Sequence, residues 1–383
     1  MFSYLEPRSQ SMTTAILAYR VTNYAMIGSF TGFLFSDQLF VRHRKYNWEF
    51  HVQQNSEKIR NYFTLDIWKT STLIFLFFII LAGSYFQKAY GYNVFQGAYG
   101  EEDGGKGVTL GSMTIIGSLG IFILTYMTVS SQMKFARPIL FVMFVFYVIY
   151  SQILLGLRQD AISIMLGMFA IYKIVRTGNL QFSLKYLLPA LVFYFFFEVW
   201  GVARTALSSG GSLVDMITYT FTRFDANVGI KFGTISPIST TFSNALYLIQ
   251  GDYVQYSYGA TYLDWLLRIP PQFIYEDRPR AMAWLFAEHD LLSAGGFFEL
   301  GEAYLNLGLA GAFVFPMIIS FSLGQITNTF MYRPTYLNFL IFSGILSVFL
   351  RGHWYQTFAF FRALTVVIAL FILFRFLQHF LRR

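Results

Sequence analysis

The segment GGFFELGEAYLNLGLAG, residues 295–311, decides how the chain is read, because polar chemistry meets a membrane-length apolar run inside it. Glu299 and Glu302 stand at its polar end, and from 303 to about 326 the sequence is apolar enough to enter a bilayer. Upstream, from about Trp200 to Glu302, runs the one long polar interruption in a chain that otherwise alternates apolar stretches with short linkers. Residues 1–383 are therefore expected to form a single transmembrane domain, with 201–302 as one large loop on one face.

Composition points the same way. Of 383 residues 55% are hydrophobic and only 13% charged, too little polar surface for a soluble globule of this size. Aromatics reach 20%, which suits a helical bundle with Tyr and Trp at headgroup level and Phe on lipid-facing and interhelical surfaces. With no cysteine there is no disulfide or thiolate metal site, so the loop must hold its shape by packing. The start, MFSYLEPRSQ, lacks the charged n-region and clean apolar h-region of a signal peptide, and none is expected. The net charge of +8 is scattered rather than gathered in a stripe, which argues against a nucleic-acid partner and for the lipid bilayer.

Hydropathy predicts about nine spans, near 12–35, 70–86, 108–130, 138–156, 160–174, 186–203, 303–326, 336–350 and 356–374. The first contains Arg20 and Asn23, and the fifth is short. One set of connections carries 15 Lys and Arg and the opposite short connections and N-terminal tail carry 5, so the first set is cytoplasmic. The long loop, Arg158 and Arg351 then lie outside. Within the loop, 212–232 and 281–293 are expected as short helices, whereas IPPQFIYEDRP at 269–279 must break regular structure. Its Trp and Tyr residues suggest a loop lying against the membrane interface.

External arginines are the strongest chemical signal, since a guanidinium stays charged and its fork matches phosphate oxygens. Arg158 opens a span, Arg204 follows one, and Arg351 sits in RGHWY between two; each also reads as a snorkelling anchor. Arg278 and Arg280 in EDRPR could bind a ligand or pair with Glu276 or Asp277. Glu299 and Glu302 would share a helical face, either answering the helix dipole or supplying a base or sugar-hydroxyl acceptor. His289 and His353 are the external histidines, each a base near neutral pH or a structural group. No cluster has metal-ligand spacing, so neither metal nor cofactor is called for.

GLRQDAIS at 156–163, IPPQFIYEDRPR at 269–280 and GGFFELGEAYLNLGLAG together resemble the bacterial O-antigen polymerase family, the Wzy-type enzymes. The likeness covers the architecture of most of the chain, although the spans are fewer than in many members and the arginine-to-glycine spacing of some is not visible. It implies an all-α polytopic protein of the GT-C-like polymerase and ligase class, in the bacterial inner membrane, with its active face periplasmic. The implied activity is inverting, metal-independent glycosyl transfer that polymerises undecaprenyl-diphosphate-linked repeat units into O-antigen or a related surface polysaccharide. Donor and acceptor would both be lipid-linked glycans, and a chain-length regulator is a further implied partner. Arg158, Arg204 and Arg351 would hold the donor diphosphate, and Glu299, Glu302 or His289 would orient or deprotonate the acceptor hydroxyl. Two rivals stand beside it: an O-antigen ligase acting on lipid A core, and a polysaccharide flippase or other transporter, whose polar residues should lie at mid-membrane depth.

Overall fold

The computed structural model describes residues 12–42, 106–130, 142, 158–177, 218, 237–269, 275, 277, 279, 282, 284–289, 291, 297–332, 335–354 and 357–381. Among them every regular element is an α-helix. In chain order these are α1 Met12–Arg42, α2 Lys106–Ser130, α3 Arg158–Thr177, α4 Pro237–Gln250 and α5 Ala260–Leu267. They continue as α6 Trp284–Glu288, α7 Glu299–Tyr332, α8 Tyr336–Ser347, α9 Phe349–Trp354 and α10 Phe358–Leu381. Six of the expected spans coincide with helices: α1, α2, α3, α7, α8 running on into α9, and α10. Those near 70–86, 138–156 and 186–203, and the expected helix at 212–232, lie outside the described residues apart from Val142 and Thr218. Among the described residues one helix, Glu299–Met331, is long and apolar enough to cross a membrane, and shorter apolar helices run over Ile115–Tyr126, Ile162–Val175, Tyr336–Ser347 and Phe358–Leu373.

The expected loop is more ordered than its polarity suggests. α4 and α5 fall inside it at places not expected to be helical, and α6 lies within the expected 281–293. α4 opens on Pro237, whose missing N–H costs nothing at a first helical position. Its Phe242, Ala245, Leu246 and Ile249 recur at helical spacing and join one apolar core with Val21 of α1, Phe286, Phe297 and Leu305. The Thr14 hydroxyl donates to Gln250 Oε1 at 2.8 Å, closing the start of α1 onto the end of α4. A second core joins α2, α3, α8 and α10 around Phe122, Tyr126, Ile164, Phe339 and Val367. The non-helical backbone at 269, 275, 277 and 279 agrees with the proline-rich break.

α1 and α7 pack along each other in parallel. Gly28 meets Phe313, Gly32 meets Met317, and Ser36 meets Gly324 and Gln325, the two numberings rising together. A Cβ on Gly28 would come within 2.1 Å of the Phe313 carbonyl oxygen, and one on Gly32 within 2.2 Å of that of Met317. This is the close backbone approach that a small-xxx-small pair permits. Away from the seam α1 exposes Tyr19, Met26, Ile27 and Phe30, and α10 exposes Ile368, Ile372 and Phe376. Contiguous apolar surface of this kind marks a contact surface for a partner or a lipid.

α7 is broken near its head. Leu307 (φ −141°, ψ 25°) and Gly308 (φ 59°, ψ −142°) leave helical geometry and divide it into 299–306 and 309–332. A Cβ on Gly311 would lie 2.1 Å from the carbonyl oxygen of Ala303. In an unbroken helix residues at that spacing are about 12 Å apart, so the two parts fold sharply against each other. The longer part spans about 36 Å, enough for a hydrocarbon core of about 30 Å.

Candidate active site

The short head of α7 carries the site. Its first residue, Glu299, follows Phe298, whose φ of 61° is unusual for a side chain of that bulk. The Phe298 carbonyl accepts from the Glu302 amide at 3.1 Å, and its ring packs edge-on against Phe242 of α4. Strain of this kind persists only when neighbours over-determine it. Because the helix begins at Glu299, both carboxylates share one face, turned toward the α9–α10 junction.

Glu302 is fully buried at 0% exposure and is held from two directions. Its Oε1 accepts from Thr261 Oγ1 at 3.3 Å and Trp265 Nε1 at 3.2 Å, both on α5. Its Oε2 accepts from the Thr357 amide at 3.2 Å and hydroxyl at 3.1 Å. An indole N–H and a peptide N–H are obligate donors, so each oxygen has at least one partner that can only donate. Asn306, one turn on, extends the network: its Nδ2 donates to Thr261 Oγ1 at 2.7 Å and its Oδ1 accepts from the Gly259 amide at 2.9 Å. The helix break contributes as well, since the Leu305 carbonyl accepts from the Ser257 amide at 3.0 Å instead of a following helical turn. Burial first, then the Glu302 and Glu299 charges, push the Tyr262 hydroxyl well above the usual phenol range, opposed by a hydrogen bond with Asn306.

Glu299 has a different partner. Its Oε2 pairs with Nδ1 of His353. The carboxylate residue is 5% exposed, whereas the imidazole side chain is 34% exposed, so the histidine forms the reachable end of the pair. Phe349 and Phe360 meet the His353 ring edge-on at 5.0 and 5.1 Å and fix its orientation. A carboxylate on Nδ1 favours the tautomer with its proton on that nitrogen, which leaves Nε2 as the acceptor of the ring.

Of the residues expected at the site, Glu299 and Glu302 are together but in unlike roles. His289 stands at the end of α6 with its ring 5.4 Å from that of Tyr253, and shares no hydrogen bond with either glutamate. Arg158 is the first residue of α3 and Arg351 lies in α9. The Leu350 amide donates to Ser163 Oγ at 3.3 Å, so these two helix positions are drawn to one end of the bundle, the end that holds His353. Arg204, Arg278 and Arg280 lie outside the described residues. Two cations not expected at the site flank it: Arg268 and Arg362 each lie over the Phe358 ring, at 4.6 and 4.7 Å, beside Thr357. Thr261, Trp265, Asn306 and Thr357 were not expected either; the only sequence signal for them is the one-turn spacing of Glu302 and Asn306. No protein-family model matches the chain, and neither a curated protein nor a solved structure is significantly similar to it.

Proposed function

We propose that the chain is an inner-membrane glycosyltransferase of the O-antigen polymerase type, a bundle of about nine spans with the head of α7 at its periplasmic face. The observation that carries this reading is the Glu299–His353 pair, close to where α9 meets α3 through the Leu350 amide and Ser163 Oγ. In the reaction His353 Nε2 takes the proton of an acceptor sugar hydroxyl as its oxygen bonds to the donor's anomeric carbon. The anomeric bond to undecaprenyl diphosphate breaks on the opposite face, giving inversion, and Glu299 steadies the imidazolium. Arg158 and Arg351 neutralise the departing diphosphate. Glu302, fully buried, has no surface to offer a substrate hydroxyl and holds the site together instead.

The packing of α1 on α7 supports the membrane topology independently. Spans one and seven of a nine-span chain both run from outside to inside, and the glycine seam joins α1 and α7 in parallel. A miscount by one between them would require antiparallel packing.

The test is glycan length on a gel from cells lacking their own copy of the gene, complemented with wild type, His353→Ala, Glu299→Ala, Arg158→Ala or Arg351→Ala at matched membrane abundance. The expected result is a ladder from wild type and single-repeat caps from the variants. Null cells that accumulate long lipid-linked polymer would make the protein a ligase, and repeat units retained on the cytoplasmic side would make it a flippase.

A further inference from the structure

α5 has its polar and apolar faces reversed relative to a helix that packs on a protein core. Inward it presents Thr261 and the Trp265 indole N–H, both bound to Glu302. Outward it presents Leu263, Leu266 and Leu267, which are 66%, 55% and 48% exposed. Leu266 and Leu267 lie one turn on from Leu263, so the three form a single apolar stripe, with Asp264 half-buried at its flank. Ile269 and Tyr258, also exposed, prolong the stripe at either end.

The position of α5 says what covers this stripe. Tyr262 packs on Phe315 of α7 at 4.1 Å, and Trp265 faces Phe361 of α10 at 6.0 Å. α5 is thus laid across the ends of two long apolar helices, and below those contacts both expose apolar residues, Ile318 on α7 and Ile368 on α10. The leucine stripe continues that surface.

We propose that α5 is an interfacial helix, seated by Leu263, Leu266 and Leu267 in the outer leaflet of a phospholipid bilayer while its inner face is latched to Glu302. The leaflet then presses the loop onto the head of α7, and a lipid-linked substrate meets the site at headgroup depth rather than from water. The inference rests on the membrane reading of α7 given above.

The absence of cysteine makes the test direct, because single-cysteine variants of the full chain can be labelled without removing native thiols. Leu263→Cys, Leu266→Cys, Ile318→Cys and Asp252→Cys are each labelled with an environment-sensitive fluorophore and reconstituted into phosphatidylethanolamine and phosphatidylglycerol vesicles. Quenching is compared between a lipid-borne bromine and aqueous iodide. The expected result is several-fold stronger lipid than iodide quenching at 263, 266 and 318, with the reverse at 252. Iodide quenching at 263 and 266 while 318 stays lipid-quenched overturns the proposal and leaves the membrane reading intact. Protection of 263 and 266 from both quenchers also overturns it, because another part of the protein would cover the stripe. Iodide quenching at 318 sinks the membrane reading itself, and the proposal with it.

Discussion

The two parts of α7 are consecutive in sequence yet are built by opposite rules. Residues 299–306 are held by side-chain hydrogen bonds that converge on Glu302 and Asn306 from segments far away in the chain. Residues 309–332 are held against α1 by bare backbone contact at Gly28 and Gly32, with apolar side chains turned outward. The head is specified by polar partners because a buried carboxylate without them is untenable. The long part is specified by the absence of side chains, because only glycine lets two helix backbones come this close. Gly308 separates the regimes with a backbone conformation that only glycine adopts easily.

The sharpest way to break this comparison is at the reachable end of the head. His353→Ala is expected to lower polymer formation by roughly 10²- to 10⁴-fold, the usual worth of a general base. Thermal unfolding in detergent should move far less than activity, by about 1–3 kcal/mol, the cost of leaving the buried Glu299 carboxylate without its imidazole partner. A variant whose lost activity is fully accounted for by lost folded protein would show the histidine to be a strut.

Glu302→Ala should do the reverse, costing about 3 kcal/mol by stranding the Trp265 and Thr357 N–H groups. Helical circular dichroism on heating, with protease sensitivity around 257–268, measures it. Glu302→Gln should fall between, because its amide nitrogen must face one of two obligate donors. Equal stability of wild type and both variants would dissolve the distinction between Glu302 and Glu299.

Gly308→Ala is expected to cost about 1–3 kcal/mol through strain alone, the nearest atoms of Tyr256 being 3.8 Å from the new Cβ. In the seam Gly28→Ala and Gly32→Ala should each cost a similar amount by overpacking, and Gly324→Ala somewhat less, because it meets the Ser36 side chain, Oγ at 2.4 Å and Cβ at 2.8 Å, rather than a backbone carbonyl. Melting temperatures of the four variants under one detergent rank them, and a costly Gly324→Ala beside a harmless Gly28→Ala would refute the parallel register. The smallest effect belongs to Tyr256→Phe, which removes a 3.4 Å hydroxyl contact with Tyr304 and should change stability by about 0.5 kcal/mol.

Much of this was legible in the residues. The helical class follows from repeated helix-length apolar runs, and six expected spans fall on helices. α1 formed despite Arg20 and Asn23, which stand in its first half, whereas the seam that holds it, at Gly28, Gly32 and Ser36, lies further along. The pair GSFTG at 28–32 was present but carried no distinguishing signal among the chain's 30 glycines. α4 and α5 were hidden because their polar residues point inward: Thr241, Asn244 and Thr261 are buried, which defeats a reading that assigns polar residues to the surface. His289 and His353 were equivalent by type and sidedness, and only packing set one beside Glu299 and the other beside Tyr253.

By itself the sequence determined the helical class and the place at 295–311 where polar residues meet a long apolar run, since composition and periodicity act locally and survive any arrangement of neighbours. The tertiary structure alone decided that Glu302 is a buried hub, that Glu299 pairs with His353, and that α7 breaks at Gly308. Those outcomes depend on contacts between residues some 40 to 55 positions apart, which no local pattern encodes.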